Sequence, residues 1–180
     1  MTGPASGRGG PEFTIEQRVP TARAMAGLGG RLARLLAAGD LVVLSGSLGA
    51  GKTTLTQGIG AGLNVRGPVT SPTFMIARVH PSLASGPDLV HADAYRLGSR
   101  AEVDDLDLDA DLATSVTVVE WGEGLVEALA GSYLAIGIEA NTADEAGSEP
   151  DEPRTVRISG WGERWRNKAA LARNTLLGDR

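Results

Sequence analysis

Cysteine is absent from the 180-residue sequence, which excludes disulfide bonds and thiolate metal sites. Aromatic residues make up only 4% of the chain, so its core has to be built mainly from Ala, Val, Leu and Ile. The longest apolar runs are four to six residues, far short of the about 20 that a membrane-spanning helix needs. Residues 1–11 are rich in Gly, Pro and Ala and lack the apolar stretch of a signal peptide. These absences predict a soluble, cytoplasmic protein.

Length and charge favour one globular domain. A chain of 180 residues with 42% hydrophobic residues is long enough to bury a core of its own. We expect residues 1–11 to be a disordered extension and 12–180 to form the domain, with an acidic loop at 141–153. The net charge of −5 argues against a protein that wraps nucleic acid over its whole surface. Residues 154–180 hold seven basic side chains against two acidic ones. We interpret this as a solvated face, the alternative being a tail that contacts an acidic partner or RNA.

Hydrophobic periodicity predicts strands that alternate with helices. Strands are expected at 13–19, 41–44, 74–79, 88–93, 115–120, 133–140 and 154–159. An apolar stripe from Met25 to Leu36 predicts a first helix with Gly39 as its C-terminal cap. Further helices are expected at 52–63 and 163–177. Three glycines within 52–63 each weaken that helix by about 1 kcal/mol, so packing has to hold it. The pattern predicts an α/β domain with a mostly parallel central sheet and helices on both faces.

A glycine-rich loop follows the buried strand 41–44. Residues 46–53 read GSLGAGKT, which has the spacing G-x-x-x-x-G-K-T. Such a loop turns several backbone N–H groups toward one point, and the helix that follows adds partial positive charge there. Lys52 would reach the β and γ phosphates of a nucleotide, and the hydroxyl of Thr53 would hold Mg²⁺. The sequence therefore predicts a phosphate-binding loop and a P-loop NTPase-like domain.

Two acidic residues end predicted strands and are candidates for the carboxylate that a phosphate loop needs near its metal. Asp93 closes the strand 88–93, and Glu120 closes the strand 115–120. We expect at least one of them to contact the metal. His91 lies on the first of these strands, and a lone histidine is more often structural than catalytic. Trp121, next to Glu120, is either plain core or a shield between the site and water.

Four motifs occur in the order and spacing of one family. They are GSLGAGKTTLTQGIGAGL, VTSPTF, HADAYRL and VVEWGE. With them the chain resembles the TsaE family (older name YjeE) over about residues 19–159. The resemblance implies an ATPase required for the threonylcarbamoyladenosine (t6A) modification of tRNA at position 37. It implies ATP and Mg²⁺ as cofactors, and the TsaB–TsaD complex as the partner through which tRNA is reached. ATP turnover would be weak alone and stimulated by those partners.

The resemblance also implies roles for single residues. The phosphates and nucleotide would be bound by Gly49, Ala50, Gly51, Lys52, Thr53, Thr54 and Trp121. Thr53 and Glu120 would hold Mg²⁺. Asp93 would support hydrolysis by positioning water or metal, with Lys52 as a further catalytic residue. Ser71-Pro72-Thr73 would belong to a switch-like segment, in which Thr73 is a catalytic candidate. No adenine-contacting residue follows from the resemblance.

Three other functions fit a phosphate loop less well. A small-molecule kinase would need a lid with several arginines, and only Arg96 and Arg100 suggest a pair at helical spacing. A GTPase would need an N-K-x-D loop, but the nearest match, at 167–170, lacks the aspartate. A binding module without turnover would not need both Asp93 and Glu120. The kinase is the main alternative, and a phosphorylated product would identify it.

Overall fold

A computed structural model describes residues 9–72, 76–97, 102, 111–140 and 153–178. The elements that lie wholly within these ranges are seven strands, three α-helices and a 3-10 turn at Glu127–Leu129. The strands are β1 (Phe13–Val19), β2 (Leu41–Ser45), β3 (Ala77–His80), β4 (Asp88–Asp93), β5 (Ser115–Glu120), β6 (Tyr133–Ala140) and β7 (Arg154–Trp161). The helices are α1 (Ala22–Ala33), α2 (Lys52–Gly62) and α3 (Glu163–Leu177). In this part of the chain no helix is long and apolar enough to cross a membrane.

The seven strands form one mixed sheet in the order β1-β7-β6-β2-β5-β4-β3. The four central strands, β6, β2, β5 and β4, are parallel to one another. The outer strands β7, β1 and β3 pair antiparallel. The predicted α/β fold is therefore confirmed, with its parallel pairing concentrated in the centre. The carboxyl ends of the parallel strands lie at one edge of the sheet, where ligands bind in open α/β folds.

Both faces of the sheet are covered, because the central strands are apolar on both sides. Val42 and Leu44 of β2 belong to a cluster with residues of α1, α2 and α3. Leu41 and Val43 point to the opposite face, where they cluster with Val126 and neighbouring loop residues. This two-sided burial is typical of strands inside parallel sheets. It holds β2, and the loop that follows it, in the middle of the molecule.

Helices α1 and α2 approach each other closely through glycines. A Cβ atom built on Gly58 would lie 2.0 Å from the carbonyl oxygen of Ala26. One built on Gly62 would lie 2.5 Å from the Cβ of Ala33. The glycines that weaken α2 as an isolated helix thus allow its backbone to pack directly against α1. This close contact agrees with the expectation that packing stabilises α2.

Most predicted elements are found, and the two main differences concern the end of α1 and the start of β3. Helix α1 ends at Ala33 with Arg34 as its cap, so the prediction that Gly39 caps it is wrong. The N–H groups of Leu35 and Leu36 bond to carbonyls three residues earlier, which tightens the chain after the helix. The strand expected at 74–79 begins at Ala77, because Ile76 has a φ of +67° that extended backbone does not allow. Of the expected extension 1–11 and the expected acidic loop 141–153, residues 1–8 and 141–152 lie outside the described residues.

Candidate functional site

The glycine-rich loop between β2 and α2 has the backbone that its sequence predicts. Gly46, Gly49 and Gly51 have φ values of +141°, +77° and +110°, which residues with a side chain rarely adopt. A Cβ on Gly46 would also lie 2.4 Å from the carbonyl oxygen of Ile138. Gly51 is the N-terminal cap of α2 and, as a glycine, has no side chain to bond to the first turn of that helix. Its first N–H groups are thus the donors that an anion takes up at a helix start.

Lys52 lies at the floor of this loop. Its Nζ donates to the carbonyl oxygens of Gly46 at 2.8 Å and Ser47 at 2.9 Å. The same ammonium lies 4.0 Å from the centre of the Trp121 ring. Burial lowers the pKa of Lys52 from its usual value, while the charges of Glu120 and Asp93 act to raise it. The two loop carbonyls and the Trp121 ring therefore fix the position of the ammonium group at the end of the long lysine side chain.

The two candidate carboxylates meet at the carboxyl ends of β4 and β5. Asp93 and Glu120 are partners in the parallel register and are 6% and 3% exposed. The hydroxyl of Thr53 donates to Glu120 Oε1 at 3.0 Å, which joins the start of α2 to the end of β5. Asp93 Oδ1 accepts a hydrogen bond from the N–H of Tyr95 at 2.8 Å. Both carboxylates therefore lie on the side of the sheet that carries the phosphate loop.

Two residues beside the carboxylates have unusual backbone angles. Trp121 has a φ of +61°, and its N–H donates to the carbonyl of Leu44 at 2.9 Å, across to β2. Its ring lies 5.1 Å from that of Tyr95, centre to centre. Ile76 has a φ of +67° and accepts a hydrogen bond from the N–H of Asp93 at 2.8 Å. For large or β-branched side chains such angles store strain, which is common near functional sites.

A cavity of about 270 Å³ lies between the loop and the two carboxylates. It is lined by Leu48, Gly49, Gly51, Lys52, Thr53, Thr54, Ser71, Asp93, Glu120 and Trp121. The structure thus brings most of the predicted site residues around one space. Ala50 is instead buried in the core, and Thr73 lies outside the described residues. The chemical roles of these residues remain predictions.

His91 is the neighbour of this site that sequence reasoning interpreted as structural. It is fully buried, and its Nε2 lies 2.8 Å from Glu120 Oε1. The signal that could have identified it is its place two residues before Asp93, since alternate residues of a strand share a face. Leu48, at the tip of the loop, was also not predicted, and it is 91% exposed.

The mixed sheet, the phosphate loop after β2 and the carboxylates at the ends of β4 and β5 define an α/β protein of the P-loop NTPase-like class. A solved structure of YdiB from Bacillus subtilis agrees with this fold. It superposes with a TM-score of 0.67 at 24% sequence identity, covering 89% of this chain and 94% of that one.

Sequence comparison identifies the family within that class. Residues 19–148 match the family model "Threonylcarbamoyl adenosine biosynthesis protein TsaE", and the chain belongs to the TsaE family. A Streptomyces coelicolor protein named tRNA threonylcarbamoyladenosine biosynthesis protein TsaE is 63% identical over 139 residues, 77% of this chain and 91% of that protein. A Mycobacterium tuberculosis protein of the same name is 52% identical over 119 residues, 62% of this chain and 71% of that protein. The family resemblance read from the four motifs is confirmed.

Proposed function

We propose that this chain is a Mg²⁺-dependent ATPase that serves the t6A modification of tRNA at position 37. It would act on the TsaB–TsaD complex and reach tRNA through that complex. The observation that carries the proposal is the phosphate loop whose Thr53 bonds to Glu120 beside Asp93. Family membership supports the pathway, because the curated relatives are named for threonylcarbamoyladenosine biosynthesis.

The residues present fit a magnesium ion. Mg²⁺ prefers oxygen ligands and is usually bound by one or two carboxylates together with substrate phosphates and water. The hydroxyl of Thr53 and the carboxylate of Glu120 are such ligands, and they already contact each other at 3.0 Å. Among the described residues no group of three His, Cys, Asp or Glu side chains forms a metal cage, which fits an ion that phosphates help to hold. When bound, Mg²⁺ neutralises charge on the phosphate oxygens.

The chain's own residues would bind the nucleotide and orient the attacking water. The N–H groups at the start of α2 donate to phosphate oxygens, and Lys52 adds a positive charge that is already held in position. Asp93 is fixed through Oδ1 by the N–H of Tyr95, so its carboxylate can accept a hydrogen bond from water in a defined direction. Trp121 covers one side of Lys52 and limits access of bulk water to it.

Nucleotide binding is the step to test first. Lys52→Ala removes a charge-assisted contact, which is worth about 1.5–3 kcal/mol, so ATP affinity is expected to fall about 10- to 100-fold. Lys168→Ala is a matched control, because it removes the only other lysine, which lies in α3 and donates to the carbonyl of Leu35. Titration calorimetry with ATP and Mg²⁺ gives both affinities. Equal affinity in the parent and Lys52→Ala would contradict the proposal.

A further inference from the structure

His91 and Glu120 form a buried pair beside the phosphate loop. The His91 side chain is 0% exposed and that of Glu120 is 4% exposed, and His91 Nε2 lies 2.8 Å from Glu120 Oε1. An ionised carboxylate only accepts hydrogen bonds, so Nε2 carries the proton and donates it. Within the described part of the chain, Nδ1 of His91 has no hydrogen-bond partner. The imidazole therefore makes one side-chain hydrogen bond there, and that hydrogen bond is with Glu120.

The pairing register of β4 and β5 places His91 within hydrogen-bond distance of Glu120. His91 is paired with Val118, and Asp93 with Glu120, in the parallel ladder of β4 and β5. Residues 91 and 93 face the same side of the sheet because strand side chains alternate. His91 consequently lies diagonally opposite Glu120, within reach of its carboxylate. A rigid strand, not a loop, holds the imidazole.

Two donors converge on one oxygen of Glu120. Oε1 accepts from the hydroxyl of Thr53 at 3.0 Å and from Nε2 of His91 at 2.8 Å. Oε2 accepts no hydrogen bond from the residues that the structure describes, and Glu120 lines the cavity. The carboxylate thus has one oxygen tied to the protein and one that remains for a ligand.

We propose that His91 is a positioning residue that fixes the Glu120 carboxylate for a divalent cation, with Oε2 as the ligand atom. This inference rests on the proposed function, since it assumes that Glu120 holds Mg²⁺. Side chains that orient a metal ligand affect metal affinity by about 10- to 100-fold when removed. His91 would therefore act on the Mg²⁺ dependence of nucleotide binding while leaving contacts to the phosphates themselves unchanged.

Two amide variants of His91 distinguish the effect of its hydrogen bond to Glu120 from the effect of its side-chain volume. The side-chain nitrogen of Gln lies near the place of histidine Nε2, whereas that of Asn lies near the place of Nδ1. His91→Gln keeps a donor for Glu120, and His91→Asn removes it while the residue stays polar and uncharged. His80→Asn is the matched control, because His80 is also buried, on the adjacent strand β3, and in the described part of the chain the hydrogen bonds to Glu120 come from Thr53 and His91 instead.

Binding of ADP is measured by tryptophan fluorescence over a Mg²⁺ titration and again with the metal chelated, so the readout needs no turnover. In His91→Asn the Mg²⁺ midpoint is expected to rise about 10- to 100-fold, with unchanged affinity in chelator. His91→Gln and His80→Asn should stay within about threefold of the parent. An unchanged midpoint in His91→Asn, or equal losses with and without Mg²⁺, overturns the proposal.

Two further outcomes are also decisive. If thermal unfolding shows that His91→Asn does not fold, His91→Gln decides alone, and a tenfold higher Mg²⁺ midpoint in that folded variant overturns the proposal. If ADP binding by the parent does not depend on Mg²⁺, the proposed function itself fails at its metal site, and the role of His91 fails with it. A Mg²⁺-dependent parent with an unaffected His91→Asn refutes only the role of His91.

Discussion

Replacing Gly29 with alanine tests the close approach of α1 and α2 that positions the phosphate loop. A Cβ at Gly29 would lie 2.3 Å from the carbonyl oxygen of Leu55 and 2.8 Å from the Cα of Gly58. Both are backbone atoms of α2, so no side chain can rotate away and the helices have to separate. Overpacking of this kind costs about 3 kcal/mol, at the upper end of its usual range, and the better helix propensity of alanine offsets about 1 kcal/mol. We expect a net loss of about 2 kcal/mol.

Gly27→Ala, two residues away in the same helix, is the matched control. Gly27 is exposed and nothing lies within 4 Å of the place where its Cβ would be. This variant should gain about 0.5–1 kcal/mol from helix propensity alone. Urea unfolding followed by circular dichroism gives both free energies, and the melting temperature of Gly29→Ala should fall by roughly 4–8 °C. The reasoning is refuted if Gly29→Ala is as stable as Gly27→Ala.

Three further predictions concern the site and the core. Asp93→Asn should keep ATP affinity and lower turnover by about 100-fold or more, and equal turnover to the parent would remove Asp93 from the hydrolysis step. Glu120→Gln should raise the Mg²⁺ concentration needed for nucleotide binding, and an unchanged Mg²⁺ titration would contradict its assignment as a ligand. Arg164→Met should destabilise the fold by about 1–3 kcal/mol, because Arg164 pairs with the buried Asp40. Its control, Arg157→Met, removes an exposed pair with Glu16 and should leave the urea midpoint unchanged, and a loss of equal size in both variants would contradict the role of burial.

The central strands were predictable because strands buried on both faces appear in the sequence as short apolar runs. Strands β4, β5 and β6 and helix α3 begin and end where periodicity places them. The end of α1 was not predictable, since Leu35 and Leu36 continue the apolar stripe although the backbone has already tightened. Periodicity also does not determine strand order, so the antiparallel edges β3, β7 and β1 emerge only from the three-dimensional pairing.

The candidate site likewise combines features that the sequence predicts with features that only the three-dimensional structure reveals. The glycine spacing specifies the phosphate loop, because only a few residue types tolerate its positive φ values. The acids at strand ends follow from the parallel sheet, which brings Asp93 and Glu120 into register. The bond between His91 and Glu120 depends on a diagonal across two strands, which a single strand's pattern does not reveal. The burial of Ala50 in the core likewise depends on the packing of the loop against other elements.

ATP hydrolysis by the purified chain, alone and then with TsaB, TsaD and tRNA, tests the central claim most directly. Released phosphate is measured in each mixture, and labelled ATP shows whether phosphate passes to water or to an acceptor. The account predicts weak hydrolysis by the chain alone and strong stimulation by the complete set. ATP that stays bound without hydrolysis in every mixture would contradict it, and a phosphorylated small molecule would favour the kinase instead.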